Sequence, residues 1–451
     1  MDEPSKPARR RRGEWSTPLQ VRSGGKRNPF AFRPDHLLVL AAEEEAVRRE
    51  IGRTEAIDVK VDTVLEVGSY VVLSGAFDVV AAARRLRDRG LSASVNHVAF
   101  AAPVTFPHPV TFPHPVTFPH PVTFPHPVTF PHPVTLPHAG GAATVVTCCC
   151  DDEVRTAVPA GPLHNNAEEA PAEPLLDRPA AGTPLSGVVV LDTGLAATPY
   201  NPGLTGLQTW TRAPWSLNGS LTSHVDEPDD NGDRWLDPVA GHGTFIASIV
   251  QRLAPGVGVQ VGKVLHASGE GDDVELAMAV RQLFASPPAV LCLACTCYTD
   301  DDVPPPLLTE AIAELQTRGT IVVCAAGNEA TCRPSWPAAL PDVIAVAALG
   351  PYGPAPFTNY GDWVRACAPG TDLVGRFFTG VDDPNDGNAS VDEFTGWARW
   401  SGTSFAAPVV AAMIAREMQL YGITGRRAVR RVIDDPRLYR IPGLGTVVNA
   451  H

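Results

Sequence analysis

The sequence is short of positive charge. Lys and Arg total 36 against 49 Asp and Glu, a formal net charge of -13 at pH 7 over 451 residues, and a field of that sign repels nucleic acid and anionic lipid headgroups. Neither nucleic acid nor membrane is an expected partner. The one basic run, residues 9–12, sits in a polar tail and reads as a solvated arm. Long apolar runs are also missing: none approaches the roughly 20 residues of a membrane-spanning helix. The opening residues MDEPSKPARRRRGEW are not followed by the apolar stretch of a secretory leader. Nine cysteines, an odd number that includes the consecutive Cys148, Cys149 and Cys150, do not read as a disulfide framework and fit a reducing compartment. A cytoplasmic location is the resulting expectation. Cys292, Cys295 and Cys297 lack a second thiolate or His pair at zinc-finger spacing and read as buried strand residues.

What is present supports two folded units and a long connection, since a domain usually takes roughly 100 to 200 residues. After the tail (1–27), residues 28–102 alternate short elements: HLLVL (36–40), the helical EEEAVRREI (43–51), VDTVLEV (61–67), YVVLSG (70–75), the amphipathic VVAAARRLRDRG (79–90) and SVNHVAF (94–100). That order, βαββαβ, predicts a small α+β, ferredoxin-like domain. A hexapeptide repeat fills residues 103–138, PVTFPH five times and then PVTLPH. Two prolines per unit exclude a helix or a central strand, so the segment reads as an extended spacer of about 110 Å. Its histidines recur too far apart to share one metal ion. Residues 139–185, rich in Ala, Pro and acidic side chains, continue as linker.

From residue 186 onward the pattern changes to short β-branched runs (187–192, 257–265, 289–297, 320–327 and 343–349) separated by helical periodicities at 242–252, 273–286, 306–318 and 404–420. Near-continuous apolar strands alternating with helices predict an α/β fold, a doubly wound, mostly parallel sheet covered on both faces. Ligands in such sheets sit beyond the carboxyl ends of the strands. Asp192 ends the first run, in VVVLDTG. His242 opens a helix in GHGTFIA, flanked by two glycines, and Ser404 opens another in SGTSFAAP. A helix N-terminus favours the negative charge that develops at a nucleophilic serine. Asn328 ends IVVCAAGN and offers a neutral amide donor of the kind that stabilises an acyl-transfer oxyanion.

Taken in that order, the three motifs closely resemble those of the subtilisin-like (S8) serine peptidases. Segments such as APGVGVQVGKVL (254–265), FTNYG (357–361) and ACAPGTDL (366–373) extend the resemblance from about residue 187 to residue 413. The resemblance implies a serine endopeptidase acting on protein or peptide substrates, with no required cofactor. Asp192, His242 and Ser404 would form its triad, and Asn328 would be its oxyanion donor. It also implies a substrate-pairing wall at Ala294, Cys295, Thr296 and Gly327. Here the sequence departs from the family's usual Ser-x-Gly, because Thr296 adds a side chain where Gly is customary. The strand end NHVAFAA (96–102) resembles the terminus that subtilisin propeptides insert into the cleft, making the N-terminal domain an expected partner in cis. Cleavage after Ala102 would meet Pro103, which lacks an N–H and crowds the leaving side, so any self-cleavage is expected in the repeat or in 139–185. The rival reading is a non-catalytic peptide-binding relative. In the acidic stretch 226–237, Asp229, Asn231, Asp233 and Asp237 are spaced as in Ca²⁺ loops but lack the closing Glu. The stretch reads either as a solvated loop or as a Ca²⁺ site.

Overall fold

Alternating β-branched and small apolar residues build the two largest sheets. The computed structural model describes residues 19–22, 29–54, 59–101 and most of 187–449, with two-residue strands at 108–109, 146–147 and 154–155. Within the long span, residues 198–203, 205, 211–213, 216, 218–220, 231, 233–235 and 384–391 are outside the description, as are Ala102 and nearly all of the repeat and linker.

The N-terminal unit runs β1 (Phe30–Leu40), α1 (Glu44–Thr54), β2 (Val61–Val67), β3 (Tyr70–Gly75), α2 (Val79–Asp88) and β4 (Ala93–Ala101). Its strands lie in the order β4-β1-β3-β2, each pair antiparallel, the arrangement expected of a βαββαβ unit. Asp78 caps α2 by accepting the Val80 and Ala81 N–H groups, and Val80, Ala83 and Leu86 of α2 pack on Phe30, Leu37 and Val39 of β1.

The larger unit follows: β5 (Val188–Asp192), β6 (Leu207–Thr209), α3 (His242–Leu253), β7 (Val259–Lys263), β8 (Glu270–Asp272), α4 (Asp273–Gln282), β9 (Val290–Leu293), β10 (Cys295–Thr296), α5 (Pro306–Thr317), β11 (Ile321–Ala325), β12 (Ile344–Gly350), β13 (Val364–Pro369), β14 (Leu373–Asp383), β15 (Asp392–Trp400) and α6 (Thr403–Tyr421). Seven neighbours in its main sheet run β6-β7-β5-β9-β11-β12-β13, all parallel, and short strands beside β12 and beyond β13 add antiparallel pairs. The chain thus starts the sheet at β5 and winds outward in both directions. That reversal is the crevice where ligands sit in doubly wound folds, and Asp192 is at its lip. Alternate residues of β5 face different helical layers. Val188 and Val190 join α3 and α6 through Phe245, Ile249 and Val410, whereas Val189 and Leu191 join α4 and α5 through Val274, Leu276 and Ile312. Burial on both faces explains why these strands read as continuous apolar runs.

The structure adds a β14–β15 hairpin that the sequence reading did not contain. Register shifts at Arg376 and Thr379 break the two-residue alternation by which a strand is recognised. Phe377, Phe378, Phe394 and Trp400 on it are nevertheless fully buried. The backbone of the pair His108–Pro109 lies antiparallel against Arg399 and Ala398 of this hairpin. Phe245 stands between the hairpin and α6, 4.7 Å from the Phe405 ring. Replacing it by Ala is expected to cost about 3–5 kcal/mol, read by chemical denaturation in a Ser404→Ala background so that proteolysis does not interfere. A loss below about 1 kcal/mol would show that this layer is not closely packed.

Candidate active site

Asp192 is fully buried, and a buried carboxylate must replace its lost water with donors. Its Oδ1 accepts the Thr193 N–H at 2.8 Å and lies 2.7 Å from His242 Nδ1. The Nδ1 proton therefore points at the acid, and Nε2 is the basic nitrogen. Among the described residues Nε2 has no hydrogen-bond partner. Trp400 and Phe405 meet the imidazole edge-on at 5.3 and 5.2 Å, which keeps this pair dry. The glycines around His242 are needed sterically. Gly241 caps α3 at φ +82°, where a Cβ would sit 2.2 Å from the Phe377 ring, and a Cβ on Gly243 would sit 2.4 Å from the Gly194 carbonyl.

Ser404 is buried in the first turn of α6, after Gly402 at φ +154°. Its hydroxyl donates to the Ala294 carbonyl at 3.2 Å and not to His242; nucleophile–base bonds often form only with substrate present. The end of β11 is locked to the same helix start by two bonds: Thr403 N–H to Asn328 Oδ1 (2.9 Å) and Gly327 N–H to Thr403 Oγ1 (3.1 Å). With its carbonyl end so engaged, Asn328 is oriented by the helix that carries Ser404.

Two strand edges border this group, and β4 of the N-terminal unit lies between them. Phe100, Ala99 and Val98 pair antiparallel with Glu270, Gly271 and Asp272 of β8, while Ala101 and Phe100 pair with Cys295 and Thr296 of β10. Ala101 also donates to the Gly269 carbonyl at 2.8 Å. Because the Ser404 hydroxyl bonds to Ala294, the residue before Cys295, the last described residue of β4 is close to Ser404 in the chain of contacts. Charge pairs surround the strand. Arg33 meets Asp272 at 3.2 Å, His97 Nδ1 meets Asp273 at 3.1 Å, and Arg84 and Arg87 reach Asp300 at 2.6 and 2.7 Å. Burial works to raise the Asp300 carboxyl, but its bonds to both arginines outweigh this and hold it below its ordinary value.

The acidic stretch is part exposed and part buried. Its first member, Asp226, is not at the surface but fully buried beside Thr193, and the sequence reading did not single it out. Asn231 and Asp233 are outside the described residues. Asp229 accepts the Gly232 N–H and Asp237 accepts the Asp230 N–H, both at 2.7 Å, so these carboxylates close the loop on itself. No group of three or more His, Cys, Asp and Glu suited to a metal occurs among the described residues. Asp229 already accepts the Gly232 N–H, a bond that Asn can also accept, so any melting-temperature difference between calcium and chelator is expected to be the same in Asp229→Asn as in the wild type. Loss of that difference in the variant would place Asp229 in a cation site.

Cys292, Cys295 and Cys297 are buried free thiols, each pushed up by burial, which makes them poor nucleophiles. Cys332, in contrast, is disulfide-bonded. The odd cysteine count concealed this bond. No helix among the described residues is long and apolar enough to cross a membrane.

The family model described as the subtilase family matches residues 187–435, more than half of the 451 residues. The chain is 30% identical over 245 residues to a thermophilic serine proteinase of Bacillus sp. strain AK1, covering 51% of this chain and 54% of that protein. It is 30% identical over 237 residues to the subtilisin-like serine protease Pen ch 13 of Penicillium rubens, covering 49% and 51%. An extracellular protease of Xanthomonas campestris pv. campestris is 38% identical over 110 residues, 24% of this chain and 18% of that protein. The chain spans about half the length of the first two relatives. The cytoplasmic expectation is overturned by this kinship with an extracellular protease, and the disulfide at Cys332 removes the cysteine argument on which it rested. With its Asp, His and Ser motifs inside the matched span, the chain belongs to the subtilase family.

Proposed function

We propose that the chain is a serine endopeptidase using Asp192, His242 and Ser404. The observation that carries this reading is the dry 2.7 Å pairing of His242 Nδ1 with Asp192, which leaves Nε2 as the base. A rotation of Ser404 about χ1 frees its hydroxyl from Ala294. The oxygen attacks the peptide carbonyl as Nε2 takes its proton, and Asp192 stabilises the imidazolium. The oxyanion falls to the Ser404 N–H at the start of α6 and to the amide nitrogen of Asn328. His242 then protonates the leaving amine, and water releases the acyl group by the same route in reverse. Substrate lies extended where β4 lies now, pairing with Cys295 and Thr296 beside Ala294 and Gly327. No step draws on a metal.

A fluorophosphonate probe is expected to label the protein, with labelling lost in Ser404→Ala and strongly slowed in His242→Ala. Undiminished labelling of Ser404→Ala would mean that another residue is the nucleophile. Asn328→Ala should lower kcat by about 10²- to 10³-fold with little change in KM, a range established in subtilisin itself.

We further propose that residues 28–102 restrain the site in cis, and that the Pro-rich segments 103–138 and 139–185 tether them. This is supported by the pairing of β4 with β8 and β10 and by the Arg84 and Arg87 bonds to Asp300. Asp300→Ala removes the shared partner of two arginines and should speed probe labelling of the full chain by about tenfold, as expected for lost charge-assisted hydrogen bonds. An unchanged rate would count against the restraint. Any self-cleavage should fall within 103–138 or 139–185, so intact-mass analysis showing a cut at the Ala102–Pro103 bond would contradict the proposed tether.

A further inference from the structure

Asp226 takes part in none of the steps above, yet it is a fully buried acid a few bonds from both Asp192 and His242. A short parallel pairing of Leu195–Ala196 with Val225–Asp226 brings it behind the site. One of its oxygens, Oδ2, accepts both the Thr193 hydroxyl (2.7 Å) and the Gly241 N–H (2.9 Å). The Thr193 hydroxyl in turn accepts the Gly243 N–H at 3.0 Å, while the Thr193 N–H binds Asp192 Oδ1. Both residues flanking His242 are thus tied, through one carboxylate oxygen and one hydroxyl, to the residue that follows Asp192. The other oxygen, Oδ1, has no partner among the described residues.

We infer that Asp226 is a positioning residue for the proposed triad, fixing the start of α3 against the end of β5 so that the His242 ring keeps its alignment with Asp192. The inference rests on the peptidase reading but adds a residue to it. The tie acts on the backbone on either side of the imidazole, so its loss lets the ring drift without removing any group that touches substrate. Displacements on the scale of an ångström cost about a hundredfold in rate when they misalign reacting groups. Lys263, the nearest cation, does not neutralise the acid directly, because its Nζ bonds to Asp230 Oδ2 at 2.9 Å and reaches the Val225 carbonyl at 3.4 Å. Burial pushes the Asp226 carboxyl well up, only partly offset by Lys263 and by the Thr193 bond. An uncharged amide of the same shape can therefore stand in for it, with its oxygen receiving the same two donors.

The test compares full-length wild type, Asp226→Leu, Asp226→Asn and Thr193→Val on a small peptide ester, with rates expressed per site titrated by the fluorophosphonate probe so that unfolded protein does not count. Asp226→Leu should lose about a hundredfold in kcat with KM within about twofold of wild type. Asp226→Asn should recover to within about fivefold, and Thr193→Val, which removes only the bridging hydroxyl, should lose about tenfold. A wild-type kcat per titrated site in Asp226→Leu would overturn the inference, as would an Asn variant no better than Leu. If the Leu protein does not fold, Thr193→Val decides, and full activity there is equally fatal. A wild type that the probe fails to label would instead sink the underlying peptidase reading, which sets the two failures apart.

Discussion

Burying a carboxylate costs several kcal/mol unless fixed donors replace its water. At Asp192 two donors do so, one from the next residue of its own strand and one from an imidazole on α3. That requirement couples β5 to α3. Both donors converge on Oδ1, and the flanking geometry is set by Thr193, whose hydroxyl bridges to α3, and by Gly241 and Gly243, where a Cβ would meet the Phe377 ring and the Gly194 carbonyl. The position of β5 at the reversal of the sheet, between β7 and β9, places this pair at the crevice that such a reversal opens. The helices that deliver His242 and Ser404 share the layer on a single face of the sheet, joined through Phe245 and Phe405.

Much of this was legible in the residues because it follows from local patterns. Strand ends and helix starts around Asp192, His242 and Ser404 were marked by apolar runs stopping at polar residues and by paired glycines. The N-terminal βαββαβ order was equally clear. What escaped was non-local. Asp226 stands in a run of acidic residues that looks like solvated surface, and only the pairing of Val225–Asp226 with Leu195–Ala196 turns it inward. The β14–β15 hairpin was hidden by its register shifts. The Cys332 disulfide is a pairing that spacing does not encode. In the acidic loop, Asp229 and Asp237 accept nearby N–H groups, a local use of carboxylates that ligand spacing alone does not reveal.

The contact between the two units is divided by chemistry. Backbone pairing of β4 with β8 and β10 gives register but little selectivity, since any extended chain can supply N–H and C=O groups. Selectivity comes from the side-chain shell, where Arg33, Arg84 and Arg87 of the small unit meet Asp272 and Asp300 of the large one and His97 Nδ1 lies 3.1 Å from Asp273. Asn96 adds a helix cap, accepting the Val274 N–H at the start of α4. A short peptide in the same groove has the backbone bonds without this shell. Under the proposed restraint, the N-terminal unit therefore outcompetes a peptide through contacts outside the groove, and weakening the shell need not disturb the groove itself.

That separation bears on why a restraint of this kind would be joined by a long proline-rich connection rather than a short one. A tethered inhibitor rebinds at an effective concentration set by its linker, and a semi-rigid linker keeps that concentration from collapsing only while its span matches the distance between attachment points. Residue 101 ends β4 in the groove, and residue 187 precedes β5, at the opposite end of that strand from Asp192. For a flexible chain, extra length lowers the effective concentration only slowly, about 0.6 kcal/mol for each doubling. A connection that bends would therefore leave the small unit, under the proposed restraint, most of its hold on the site while giving residues 103–185 room to be cut.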